Sequence, residues 1–129
     1  MARNNTISAT FQMAAGDGAS GFTESISGVS FTSGDAVKIE GTQAHGAAFV
    51  HLATSYGMAQ FDGVYLENRD TSNEIVIILL DASDNALSTL KIAPNGVFMV
   101  RLDADQTAVA KVSLQGSTAP CEFVLCLSE

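Results

Sequence analysis

The sequence has no tryptophan, only two cysteines and two prolines, and just six basic residues among 129. Each scarcity excludes something. The six basic residues are scattered from Arg3 to Lys111, so no basic cluster exists to track phosphates, and neither nucleic acid nor an anionic membrane is an expected partner. The longest uninterrupted apolar run, residues 75–80, is six residues long, whereas a membrane-spanning helix needs about twenty. Met1, Ala2, Arg3, Asn4 and Asn5 lead into no hydrophobic stretch. The expectation is therefore a chain without a secretory signal, made in a cytosol. Cys121 and Cys126 form neither a CxxC nor a metal-ligand spacing. Five positions apart on one extended strand, they would face opposite sides and stay unbridged.

What is present is apolar and acidic. Hydrophobic residues make up 47% of the chain against 16% charged, with a net charge of −8, while globular proteins average about 25% charged residues. The length suits one domain with a real core. So much apolar residue with so little charge implies outer surface buried against other subunits, because such interfaces resemble a core cut in half. A homo-oligomer, dimer or trimer, is the expectation.

Periodicity decides the fold class. Ile7, Ala9, Phe11 and Met13 alternate with Thr6, Ser8, Thr10 and Gln12, the period of a half-buried strand. After the Gly-rich residues 16–21, extended pieces begin at Phe22 and, beyond Gly28, at Val29. Val37 and Ile39 alternate next, and then Phe49 and His51 share one face with Val50 and Leu52 on the other. Residues 57–61 and 64–68 meet through Asp62-Gly63, a pair suited to a type I′ hairpin. Residues 68–73 form a polar loop whose side chains bond their own backbone. The β-branched run 75–80 predicts a strand covered on both faces. Residues 87–92 and 97–102 flank Pro94-Asn95-Gly96 as a second hairpin, and 109–114 and 122–127 close the chain. No helical stripe appears beyond single turns at 81–87 or 103–109. About ten short strands at such spacing predict an all-β fold, a two-sheet antiparallel β-sandwich of jelly-roll-like or Greek-key type, with a closed barrel second. The expected division is an N-terminal strand and Gly-rich arm, residues 1–21, exchanged with or contacting a neighbour, followed by the sandwich, residues 22–129.

Catalytic signals are weak, and the chain does not read as an enzyme. His45 and His51, with Glu40 or Asp62, match no metal motif, and a packed or interface histidine is the simpler role for His51 beside Phe49. No G-x-S-x-G elbow occurs. Asp103-Ala104-Asp105 and Asp81 with Asp84 could offer oxygen ligands to Ca²⁺, but they lack the EF-hand pattern and read as solvated loop acids. Residues 16–21 spell G-x-G-x-x-G without the βαβ unit that would place a pyrophosphate at a helix end. No catalytic, cofactor or metal residue is therefore assigned. The residues singled out for interaction are Phe11, Met13, Phe22, His51, Tyr56 and Tyr65, the two tyrosines because amphipathic rings serve contacts.

From Val64 onward the order of pieces is familiar. A strand ends in Asn68-Arg69-Asp70, another starts at Asn73-Glu74, and Leu90-Lys91-Ile92-Ala93-Pro94-Asn95-Gly96 turns into a strand ending Arg101-Leu102. Val109-Ala110-Lys111-Val112 and Glu122-Phe123-Val124-Leu125 close the pattern. Over this half the chain resembles small β-sandwich virion proteins of tailed bacteriophages, although Asn95-Gly96 stands where Gly and Glu often follow the proline. The resemblance implies a structural part of a phage particle, most simply a capsid decoration or cement protein that contacts itself and the major capsid or other virion proteins. A second reading is a carbohydrate- or receptor-binding module of a tail or fibre, using loops near Tyr56, Arg69 or Asp103.

Overall fold

The computed structural model describes residues 3–13, 22–33, 35–103 and 108–129, with the side chains of 3–9, 11–13 and 22–33 left aside. The chain divides into two compact units, Met1–Ser33 and Gly34–Glu129. In the first, β1 (Arg3–Met13) and β2 (Phe22–Ser33) form a two-stranded antiparallel ribbon, with Met13 opposite Phe22 at one end and Arg3 opposite Ser33 at the other. The register shifts once, leaving Ser27 and Gly28 opposite Ser8, which is a β-bulge. The two extended pieces expected around Gly28 are thus one bent strand. Because β2 pairs with β1, the division falls after Ser33 rather than after residue 21.

The second unit is a sandwich of eight strands: β3 (Ala36–Gln43), β4 (Phe49–Leu52), β5 (Gly63–Asn68), β6 (Ile75–Leu80), β7 (Ala86–Ile92), β8 (Val97–Arg101), β9 (Lys111–Gly116) and β10 (Cys121–Ser128). One sheet runs β3-β10-β5-β8 and the other β4-β9-β6-β7, all pairs antiparallel. The outermost strands in sequence, β3 and β10, pair with each other, as do β4 with β9, β5 with β8, and β6 with β7. That nesting is one long folded-over ribbon rolled into two sheets, a jelly roll. The expected two-sheet antiparallel β-sandwich is present, with eight strands in the sandwich and two in the ribbon among the described residues. No helix among the described residues is long and apolar enough to cross a membrane.

Alternation builds the core. Val64 and Leu66 of β5 and Phe123, Leu125 and Leu127 of β10 point inward from one sheet, and Ile75, Ile77, Val112 and Leu114 from the other, all at most 6% exposed. Each such side chain contributes about 1.5–3 kcal/mol by leaving water. The run 75–80 differs from expectation. Ile75, Ile77 and Leu79 are buried, whereas Val76, Ile78 and Leu80 stay half-buried on the outer face.

Both expected hairpins are corners between sheets instead, and β6-β7 is the one hairpin among the described strands of the sandwich. At Ala93-Pro94-Asn95-Gly96, the Gly96 N–H donates to Ala93 O at 2.9 Å and Asn95 has φ +59°. That is a type II arrangement, with proline first and the positive φ second, and such turns splay the strands they join. At Asp62-Gly63 the glycine lacks a positive φ. A Cβ at Gly63 would meet the Ser128 hydroxyl, which would have to rotate away to admit it. Phe61 bridges Val109, and the Asp62 N–H donates to Ser128 O at 2.8 Å. One turn of 3-10 helix, Ala53–Tyr56, lies where no turn was expected and ends at Gly57, φ +75°.

Candidate interaction surfaces

The 3-10 turn brings two of the six singled-out residues together. β4 pairs with β9 so that His51 lies opposite Val112 and points inward, 4% exposed. The turn then carries Tyr56 back over it, and His51 Nδ1 and the Tyr56 hydroxyl are 2.8 Å apart. Phe49 lies against the His51 ring with centroids 4.6 Å apart, and the Tyr56 ring lies 6.5 Å from that of Phe61. His51 Nε2 is buried without a hydrogen-bond partner. Burial holds the His51 pKa below its ordinary value, so the ring is neutral near pH 7, and burial likewise raises the Tyr56 pKa. This arrangement is a packed histidine, with Phe49 exposed at the rim.

The N-x-D segment is a clamp. Asn68 is fully buried at the end of β5 and its Nδ2 donates to the carbonyls of Asn73, Ile92 and Ala93 at 2.8, 3.0 and 3.1 Å. Its Oδ1 accepts the Asp70 N–H at 3.0 Å. Asp70 Oδ1 then accepts the N–H groups of Ser72 and Asn73 and the Asn73 side-chain amide. Those bonds, the Ser72 N–H first, hold the Asp70 pKa below the usual carboxylate range. The side-chain-to-backbone bonding expected for residues 68–73 is present. Asp81 works similarly, accepting from Ser83 and from both the backbone and side chain of Asn85, while Asp84 pairs with Lys111. These acids serve turns. Among the described residues no three His, Cys, Asp or Glu groups gather to hold a metal ion.

Tyr65 sits apart from the His51 pair, on the outer face of the β3-β10-β5-β8 sheet, where its hydroxyl donates to Glu67 at 3.2 Å. That face is charged. Lys38 pairs with Glu40, and Arg69 reaches Glu67 at 3.3 Å and Glu40 at 4.0 Å. Beside them Glu40, Gly41, Thr42, Arg69, Glu122 and Phe123 line an open concavity of about 290 Å³. A second, of about 500 Å³, is lined by Asp62, Arg101, Leu102 and Asp103. Cys126 lies half-buried on the outer face and Cys121 buried on the inner face of the same strand, both free. The backbone of Phe11, Met13 and Phe22 lies in the ribbon, and their side chains fall outside the described residues, as do the Gly-rich residues 16–21 and Asp105.

Sequence reading missed Asn68 as a buried clamp and the charged cluster around Arg69. The first had a signal in the Asn-x-Asp spacing, and the second had none, because it joins β3, β5 and the β5-β6 loop across the sheet. The fold and these surfaces define an eight-stranded jelly roll with an N-terminal ribbon. No family model, curated protein or solved structure matches the chain.

Proposed function

We propose that this chain is a non-enzymatic structural component of a bacteriophage particle, a capsid decoration or cement protein that strengthens the shell through contacts with its own copies and with the major capsid or other virion proteins. The observation that carries the reading is the jelly-roll topology combined with a filled interior. Jelly rolls recur in viral capsid and lectin domains, and a fold's function lies in its sites. Here Leu66, Ile77, Leu114 and Leu125 occupy the space between the sheets, so function falls to the outer faces, edges and loops. The resemblance of residues 64–129 to small virion proteins points the same way, and its N-x-D segment is the Asn68 clamp of this chain. An excess of acidic over basic residues suits a place outside the DNA-filled space. In this reading the chain is made in the bacterial cytoplasm and ends on the virion surface.

The test is sedimentation of the full chain with phage shells that lack it. Saturable binding at symmetry-related copy numbers is expected, and a chain that never co-sediments overturns the proposal. The alternative, a carbohydrate- or receptor-binding module, draws on the two concavities beside Arg69 and Asp103. A glycan array separates the two, and a reproducible hit lost on Arg69→Ala favours the alternative. Tyr56 offers that role less, since its hydroxyl is engaged by His51.

A further inference from the structure

Residues 44–57, which run from the end of β3 through β4 and the 3-10 turn, are anchored to the sandwich by very little apolar surface. Only His51 and Ala53 are buried among them, Tyr56 is half-buried, and all the others are exposed. β4 is four residues long and pairs with β9 alone, at the edge of its sheet. Segments with so few buried contacts are the ones that open without the rest of a fold. The largest buried side chain in this one is a titratable ring.

That ring has no place for a second proton. His51 Nδ1 lies 2.8 Å from the Tyr56 hydroxyl, which can donate or accept, while Nε2 is buried with no partner. Whichever nitrogen holds the hydrogen of the neutral ring, the cation carries an N–H at Nε2 that meets no acceptor. No carboxylate among the described residues pairs with it. On β9 the ring lies opposite Val112, and Lys111 on the next pair is held by Asp84. Phe61, which packs on Tyr56, is followed by Asp62, whose carboxylate accepts from Gln60. β3 adds Val37 and Ile39 to the core, and its Lys38 and Glu40 pair with each other on the outer face. His45, on the same segment, is exposed. Burial is therefore what opposes the charge on His51.

We propose that His51 is an acid-operated latch, whose protonation frees residues 44–57 while the rest of the sandwich stays folded and so bares the β9 edge that β4 covers. In the open segment the ring returns to water and to its ordinary pKa near 6.5. In the closed one its pKa is lower. Opening is thus favoured about tenfold for each pH unit below about 6.5, down to the folded pKa, and the latch is shut at higher pH. The device stands apart from the decoration reading, and it gives the pH condition under which an unpaired sheet edge becomes available.

Amide hydrogen exchange of the full chain from about pH 5 to about pH 7.5, followed by NMR and corrected for the intrinsic rate, tests it across the ordinary histidine pKa. The Ala53 N–H, which donates to Ala110 O at 2.9 Å, reports the segment, and the Asn68 N–H, which donates to Gly96 O at 2.9 Å, reports the remainder. Ala53 protection should fall about tenfold per pH unit below about 6.5. It should also stay at least about a hundredfold below that of Asn68 and be insensitive to low urea, the mark of a small local opening. His51→Phe should abolish the pH dependence, and His51→Gln does the same test should the first variant fail to fold. His45→Gln should keep it. Ala53 protection that is flat with pH, that equals Asn68 protection throughout, or that still falls with acid in the His51 variants overturns the proposal.

Discussion

Replacing Asn68 by alanine removes the bonds that tie the end of β5 to the β5-β6 loop and to the corner between β7 and β8. The amide has two hydrogens for three carbonyls, those of Asn73, Ile92 and Ala93, and its oxygen accepts one N–H from Asp70. Three hydrogen-bond equivalents are therefore lost. Each is worth about 0.5–1.5 kcal/mol, and a buried group left unsatisfied costs more. Asn68 is wholly buried and Ile92 nearly so, which places the loss at about 3–4 kcal/mol. For a unit of this size, 1 kcal/mol moves Tm by about 4–8 °C, so a fall of roughly 12–32 °C is expected. Urea denaturation followed by circular dichroism gives the free energy, and a thermal melt gives Tm. Asn68→Asp keeps the shape but aims a second acceptor at three carbonyls, and should cost at least as much. Asn73→Ala loses one side-chain bond to Asp70 and should stay within about 1 kcal/mol of the parent. An Asn68→Ala variant within about 1 kcal/mol of the parent would refute the clamp.

Other expectations follow from the same packing. His51 has a folded pKa held below its ordinary value by burial, so the unfolded chain takes up the proton first. Stability should be full above about pH 6.5 and fall as pH drops toward the folded pKa, by at most about 1.4 kcal/mol per pH unit; in His51→Phe that part of a pH-stability curve should flatten. Asp70 and Asp81 have lowered pKa values, the first mainly through the Ser72 N–H and the second through Asn85. Their contribution is present above the ordinary carboxylate pKa and is lost at more acid pH, so it should survive in His51→Phe. Gly63→Ala sets a methyl against the Ser128 hydroxyl, which can rotate away, so the cost should be that of one displaced rotamer, about 0.5–1.5 kcal/mol, and Ser128→Ala should remove most of it in a double-mutant cycle. A thiol reagent should label half-buried Cys126 before buried Cys121, and equal rates in the folded chain would contradict their placement on opposite faces of β10.

Strands were legible because burial follows alternation: Val64, Leu66, Ile75 and Ile77 are inward wherever the period of two places them. Pairing was less so. Asp62-Gly63 and Pro94-Asn95-Gly96 carry genuine turn chemistry, yet a local turn can return a chain beside itself or lift it to the facing sheet. Positive φ at Asn95 rather than Gly96, and none at Gly63, decided for the corner. The continuous apolar run 75–80 suggested cover on both faces, but only Ile75, Ile77 and Leu79 are buried, and Val76, Ile78 and Leu80 stay half-buried on the outer face. His51 and Tyr56 meet through a 3-10 turn closed by Gly57, which a single short turn in an all-β pattern does not announce. The cluster around Arg69 assembles from strands far apart in sequence, so no spacing could reveal it.

The central claim is that this jelly roll is a part of a virion shell. Electron cryomicroscopy of phage shells incubated with the purified full chain tests it most directly. The account predicts an eight-stranded density bound outside the shell at symmetry-related positions. Shells that remain bare under saturating chain would contradict it.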